Sequence, residues 1–347
     1  MTKKATCFGA GLVALDVILN GSVTTTPMLS AGGSCGNVLS ILSFLGWNSY
    51  PIARLANDQA GHELMHDLDR WHIHSDHIFI NDEGVTPIII HRILKDKKGN
   101  PIHRFEFRDP ETKSWLPQFK AITKNVAEKV INKNIIPEVF YFDRMNPGTL
   151  ELARHFKANG SLIYFEPSSA KDSDTFEKFL AVSDIVKFSH ERIPDYEERY
   201  NQIQCFLEVK TIGESGLVFR SRKNTHPNTW NTIKAPSINN LQDAAGAGDW
   251  CSAGIISCLG TIGKIGLKNA TVSEIKMALN FGQTLGALNC LYDGSRGLMY
   301  YYTSQNLLST VDYCYNMNVV APKYTISAPI IDVSTTKKLS DLYQISY

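Results

Sequence analysis

The chain has 347 residues, of which 43% are hydrophobic and 20% charged, and its formal net charge is +1. These are the proportions of an ordinary soluble globular protein, and so small a net charge argues against nucleic-acid binding as its main business. The length suggests one large domain with an appendage, or two domains.

Seven cysteines are scattered, odd in number and never in a C-x-x-C pair, which reads as reduced thiols in a cytosolic protein. Lys3-Lys4 before an apolar run imitates a signal peptide, but Asp16 interrupts the run and no small-residue cleavage site follows. No uncharged apolar run reaches about 18 residues, so no membrane span is expected and the location expected is cytoplasmic.

In chain order, Thr6 to Ala10 reads as a first strand ending in Gly9-Ala10-Gly11. With Ala14 this matches the dinucleotide fingerprint G-x-G-x-x-A, but the β-rich run Val13 to Leu19 follows in place of the required helix. Gly32-Gly33-Ser34 opens a helix with Gly46 as its C-terminal cap; Ser49 to Leu55 is a strand and Asp58 to Trp71 an amphipathic helix. That helix contains His62-Glu63-Leu64-Met65-His66, a literal H-E-x-x-H, for which Glu83 and His91 are third zinc ligands only by default. The plainer reading is a polar helix face that carries two histidines. Thr86 to Leu94 and Ile102 to Phe107 form a hairpin projecting from the main sheet.

Regular alternation then resumes. Helices at Ala121 to Asn132, Gly148 to Ala158 and Asp174 to Ala181 precede strands at Val139 to Phe142, Leu162 to Phe165 and Asp184 to Phe188. A polar helical stretch, Glu191 to Gln204, precedes the strand Phe206 to Ile212, and a Gly-rich turn leads to the strand Leu217 to Arg220. Two long helices, Ala245 to Leu259 and Val272 to Asn289, close the core, and Pro322 to Tyr347 reads as an appended segment. Such alternation predicts a parallel sheet covered on both faces.

The most informative stretch is Asp243-Ala244-Ala245-Gly246-Ala247-Gly248-Asp249, followed by an apolar helix. A Gly-rich helix start presents bare N–H groups and the positive end of the helix dipole to an anion. A carboxylate beside a phosphate site is repelled by it, but makes sense as the base for a hydroxyl about to attack phosphorus. A Gly-rich turn before an ordinary buried helix is the alternative.

These residues resemble the ribokinase-like (PfkB) family of carbohydrate and nucleoside kinases, across most of residues 5 to 300. The family's Asp-Thr-x-Gly-Ala-Gly-Asp stands as Asp243 to Asp249, with alanine where threonine is common. The opening Gly-Gly and helix Asn stand as Gly32, Gly33 and Asn37, and Asn57-Asp58-x-x-Gly61 resembles the next segment, which makes the H-E-x-x-H a coincidence. Thr-x-Gly-x-x-Gly stands as Thr211 to Gly216, and Asn280 is the candidate for a late Asn near the adenine.

The resemblance implies a three-layer α/β sandwich with a mainly parallel central sheet over residues 1–321 and a small β-lid from about 12–28 and 86–107. Residues 322–347 would be a C-terminal extension. It implies ATP-dependent phosphorylation of a sugar-like alcohol, with Asp249 as general base and Gly246, Ala247 and Gly248 as the anion hole. Asp16, Gly32, Gly33 and Asn37 would bind the substrate. Arg104 is a further candidate, for a substrate phosphate or a nucleoside, or simply an outer-face residue.

Ser189, Thr211, Gly213, Gly216 and Asn280 would bind the nucleotide, Mg2+ would bridge its phosphates, and Asp243 would help hold a monovalent cation such as K+. One departure stands out: the family's Asn-x-x-Glu is here Ser189-His190-Glu191-Arg192, which leaves Glu191 one residue early as metal ligand. A nucleoside acceptor and a non-catalytic sensor are the alternatives. Exposed lid strands make a homodimer plausible, and neither nucleic acid nor membrane is an expected partner.

Overall fold

The helix–strand alternation resolves into two sheets. The computed structural model describes residues 3–20, 27–81, 84–95, 97, 101–317, 319–323, 328–331 and 339–343. Its first part runs β1 (Thr6–Ala10), β2 (Ala14–Asn20), β3 (Met28–Gly32), α1 (Gly33–Phe44), β4 (Asn48–Leu55), α2 (Gln59–Arg70), β5 (Ile78–Ile80), β6 (Ile88–Lys95) and β7 (Pro101–Glu106). The middle runs α3 (Lys124–Ile131), β8 (Val139–Phe142), α4 (Pro147–Ala158), β9 (Leu162–Phe165), α5 (Ser173–Val182), β10 (Ile185–Ser189), α6 (Tyr196–Arg199), β11 (Leu207–Thr211), β12 (Leu217–Ser221) and β13 (Asn231–Ile233). Helices α7 (Ala247–Leu259), α8 (Gly263–Asn269), α9 (Val272–Asn289), α10 (Gly297–Tyr301) and α11 (Ser304–Met317) follow.

Among the described residues, one nine-stranded sheet has the order β13-β12-β11-β10-β9-β8-β1-β4-β5. It is parallel from β5 to β11 and antiparallel only where β11, β12 and β13 meet at one edge. Strands buried on both faces need apolar side chains at every position, and Val139–Phe142 and Leu162–Phe165 are buried throughout. Alternation divides them: Tyr141 and Tyr164 join the core shared with α1, α7 and α9, whereas Phe140, Phe142 and Phe165 pack with Phe156, Phe176 and Phe179 of α4 and α5.

Helices start where polar side chains can cap them: Asp58 accepts from the Gly61 N–H at 2.7 Å, and Thr271 and Glu274 form a capping box. Helices α7 and α9 pack backbone to backbone, because a Cβ on Gly254 would meet Gly282 Cα at 2.6 Å and one on Gly286 would meet the Ala247 carbonyl oxygen at 2.6 Å.

The second sheet, ordered β3-β2-β6-β7, is the projecting hairpin joined by β2 and β3. Expected lid residues 21–26, 96 and 98–100 lie outside the described residues. Its edge strand β7 carries the exposed Ile102 and Phe105, and exposed Phe107 follows just beyond it. In the C-terminal segment, Leu342 is fully buried and the Tyr343 hydroxyl donates to Asp109, just beyond the hairpin.

The helix expected over Glu191 to Gln204 is only one turn, Tyr196–Arg199. Pro194 keeps a helix from running through from Glu191, and Ile193, Tyr196 and Tyr200 are buried in the core beneath α5. The dinucleotide reading fails as expected, since β1 leads into β2 with no helix between them.

Candidate active site

Ligands of open parallel sheets gather outside the C-terminal ends of the strands. Here those ends present Gly11 after β1, Asp143 after β8, Glu166 after β9, Ser189 and Thr211. The starts of α1 and α7 close on the same crevice, and the second sheet covers it.

Gly246 caps α7 in the left-handed region, φ +74, with no side-chain hydrogen bond to the helix start. A Cβ there would meet the Ser295 carbonyl oxygen at 2.2 Å, so only glycine fits. Uncapped N–H groups in the first turn form an anion-binding surface. A Cβ on Gly248 would meet nothing nearer than Glu166 and Lys187, both at 3.8 Å, which leaves open space above this turn. Lys187 is buried, pairs with Glu166 and adds positive charge beside the helix start. Glu166 also accepts from Ser252 and, at 3.2 Å, from the Tyr141 hydroxyl.

Asp249 opens α7 and points toward α1, where Asn37 Nδ2 donates to its Oδ2 at 2.8 Å. This bond joins two motifs separated by 212 positions. Burial pushes the Asp249 carboxyl up to about 8, and Glu166 adds to the rise; the Asn37 hydrogen bond, Lys187 and Arg192 oppose it. Asn37 Oδ1 is buried and has no partner among the described residues. A buried orphan acceptor beside a buried carboxyl suits an incoming hydroxyl.

The residues expected on the acceptor side converge too. Asp16 on β2 is buried and its carboxyl is pushed up to about 7 by burial, against the pull of Arg296 and of the Gly33 N–H. Gly32 is required by that carboxylate, since a Cβ would lie 2.0 Å from Asp16 Oδ2. Gly33 has φ +73 and would clash with the Leu12 carbonyl. Buried Arg296 pairs with Asp67, whose carboxylate also accepts from the Ala31 N–H at 2.8 Å.

On the opposite side, Ser189 and Thr211 are paired at the ends of β10 and β11. A 3-10 turn, Gly213–Ser215, follows, with φ +54 at Gly213 and +101 at Gly216. Asn280 lines a cavity of 1170 Å3 together with Ala235, Pro236, Phe281 and Tyr315. The mixed apolar and polar lining suits a small-molecule ligand such as a nucleoside.

One candidate, Arg104, stands apart from this crevice. Arg104 pairs across β7 with Arg92, on the face opposite His91 and Asp16; its side chain is 69% exposed and lies 3.6 Å from Glu106. Phe105, one residue on, takes the inner face, with its ring 4.9 Å from that of His91. Arg104→Ala should therefore leave acceptor KM and kcat within about twofold of wild type in steady-state assays. Glu191 is exposed just past β10, and its backbone N–H bonds to Ser189 Oγ at 3.2 Å.

Asp243 lies beneath the turn and accepts from the N–H groups of Ala245 at 3.0 Å and Gly294 at 2.9 Å. His62 and His66 of the H-E-x-x-H are exposed, and His62 contacts Asn57 at 3.1 Å. Glu83 lies outside the described residues, and among those described no group of three or more His, Cys, Asp or Glu could hold a metal.

Sequence reasoning missed Asp143, Lys187, Ser252 and Arg296. Asp143 accepts from the Leu12 N–H at 2.9 Å and from Arg144 at 2.6 Å, and burial raises its carboxyl. Lys187 had a legible signal, a lone charge inside an otherwise uncharged strand; Arg296, in an irregular loop, had none.

A family model for the pfkB family carbohydrate kinases matches residues 11–299. The fold is similar to that of an uncharacterized sugar kinase from Pyrococcus horikoshii, with TM-score 0.66 and 20% identity over 91% of this chain and 100% of that one. A fructokinase double mutant from Vibrio cholerae, solved with fructose, ADP and a potassium ion, gives TM-score 0.63 and 17% identity over 87% of this chain and 100% of that one. A Burkholderia thailandensis nucleoside kinase in complex with inosine gives 0.64 and 14% identity, over 90% of this chain and 98% of that one. No curated protein matches the sequence. The match of the family model across both glycine motifs and the crevice between them shows that the chain belongs to the pfkB family of carbohydrate kinases.

Proposed function

We propose that this chain transfers the γ-phosphoryl group of ATP to a hydroxyl of a sugar or sugar derivative, with Asp249 as general base. The observation that carries this reading is the 2.8 Å bond from Asn37 to Asp249, which joins the two glycine motifs at one point. Asp249 takes the hydroxyl proton as the oxygen bonds to phosphorus, and the bond from phosphorus to the ADP oxygen breaks. The N–H groups at the start of α7, with Lys187 beside them, stabilise the charge on the transferring group. Asp16 and Asn37 orient the acceptor, and the covering sheet excludes water that would compete with it.

A base titrating near the working pH is well matched to this task. Since the Asp249 carboxyl is pushed up to about 8, kcat/KM for the acceptor should rise with pH until near that value and then level off. Magnesium fits as an ion carried by nucleotide phosphates and water rather than caged by protein, with the Glu166 carboxylate 3.8 Å from where a Cβ on Gly248 would stand. It would neutralise phosphate charge there.

The nucleoside kinase with a similar fold keeps a nucleoside acceptor as the second reading. An ADP-release screen with Mg-ATP over hexoses, pentoses, their monophosphates and nucleosides tests both. Release with a sugar is the expected result; release with nucleosides alone selects the second reading; ligand binding without release makes the chain a sensor and ends both.

A further inference from the structure

The resemblance implies a monovalent cation under the anion-binding turn, and a relative with a similar fold was solved with a potassium ion. Such an ion needs oxygen atoms, largely backbone carbonyls, that replace its hydration shell. The oxygens beneath this turn already face donors. Asp243 Oδ1 accepts from the Ala245 N–H at 3.0 Å and Oδ2 from the Gly294 N–H at 2.9 Å. His91 of β6, fully buried, brings Nε2 to 3.5 Å from Oδ2.

Two carbonyls of the turn and its facing loop are bridged by one side chain. Asn289, the last residue of α9 and fully buried, directs Nδ2 to the Ala245 oxygen at 3.0 Å and to the Gly294 oxygen at 3.2 Å. Its orientation is fixed from the other end, because Oδ1 accepts from the Leu298 N–H at 3.1 Å and a backbone N–H can only donate. An amide nitrogen has two hydrogens, one for each carbonyl. A cation bridging these two carbonyls through the lone pairs that the amide uses would have to stand where this nitrogen stands. The donor set thus does not fit the ion.

We propose that the Asn289 amide, with His91 closing on Asp243, replaces the monovalent cation, so that this chain holds its turn without one. This rests on the reading of the turn as the phosphoryl site only for its catalytic consequence, since the replacement itself concerns folding. Beyond those carbonyls, Trp250 Nε1 donates to the Ser295 oxygen at 3.2 Å and Gly246 packs on the same residue, so loop 293–297 is held against the turn.

The test is thermal unfolding of wild type and Asn289→Ala in KCl and in choline chloride at matched ionic strength. An ion bound only by the folded state, at ~100 times its Kd, raises the midpoint by several degrees. The expected result is a wild-type midpoint that is the same in the two salts, and an Asn289→Ala midpoint several degrees lower in both. A saturable rise of the wild-type midpoint with K+ but not choline overturns the proposal, as does an Asn289→Ala midpoint equal to that of wild type. Melting requires no turnover, so failure of the kinase reading would leave this result intact. If the ADP-release assay finds an acceptor, its rate should be equal in the two salts; K+ activation would sink the proposal while leaving the kinase reading in place.

Discussion

Asp249→Asn should lower phosphoryl transfer by about 10²- to 10⁴-fold, the usual effect of losing a general base, with acceptor and nucleotide binding still measurable by calorimetry. The same substitution should raise stability at neutral and alkaline pH. The Asp249 carboxyl is raised from the ordinary 3.8 to about 8 in the folded chain. Between those values the folded state holds more protons than the unfolded state, so stability falls as pH rises through the window. The contribution is fully present below the unfolded value and lost above about 8. Asparagine removes that dependence while preserving shape and the contact with Asn37. Thermal melts from pH 5 to pH 9 should show the variant gaining on wild type toward high pH. Parallel curves would mean that the carboxylate is not strained by burial.

Gly246→Ala should cost both fold and activity, and Gly248→Ala only activity. At Gly246 the left-handed backbone alone costs a side chain roughly 1–2 kcal/mol. The added Cβ would also lie 2.2 Å from the Ser295 carbonyl oxygen, a backbone atom that cannot swing aside. The combined loss should be on the order of 3 kcal/mol, and a displaced turn should slow transfer by about 10²-fold or more. At Gly248 the nearest atoms to a Cβ lie at 3.8 Å, so the methyl is accommodated and even favours the helix. It occupies space above the anion-binding turn, and kcat should fall while the midpoint holds. Equal destabilisation by the two substitutions would contradict this account of the turn.

Much of the scaffold was legible because its signals are local. Helix α9 begins and ends at the expected Val272 and Asn289, and the fully apolar strands β8 and β9 could be read from composition alone. The motifs around Asp249 and Asn37 were legible as short patterns and Asp16 only through the resemblance, and the bond between Asn37 and Asp249 required the tertiary fold. Arg104 shows the limit. Which face of β7 it occupies depends on the pairing of β7 with β6 and of β6 with β2, and a shift of one residue puts Phe105 inward instead. Asn289 shows another limit: nothing in a helix-terminal asparagine announces that its amide bridges two carbonyls 44 and 5 positions away. Pro194 was a legible break that a polar, helix-like composition overshadowed.

The most direct test of the central claim is a single-turnover experiment with protein in excess over γ-labelled Mg-ATP, with the acceptor found by the screen. The account predicts that wild type moves the label into the acceptor and that Asp249→Asn, with both ligands bound, leaves it on ATP. Label released to water at the same rate with and without acceptor, or transferred equally well by Asp249→Asn, would contradict it.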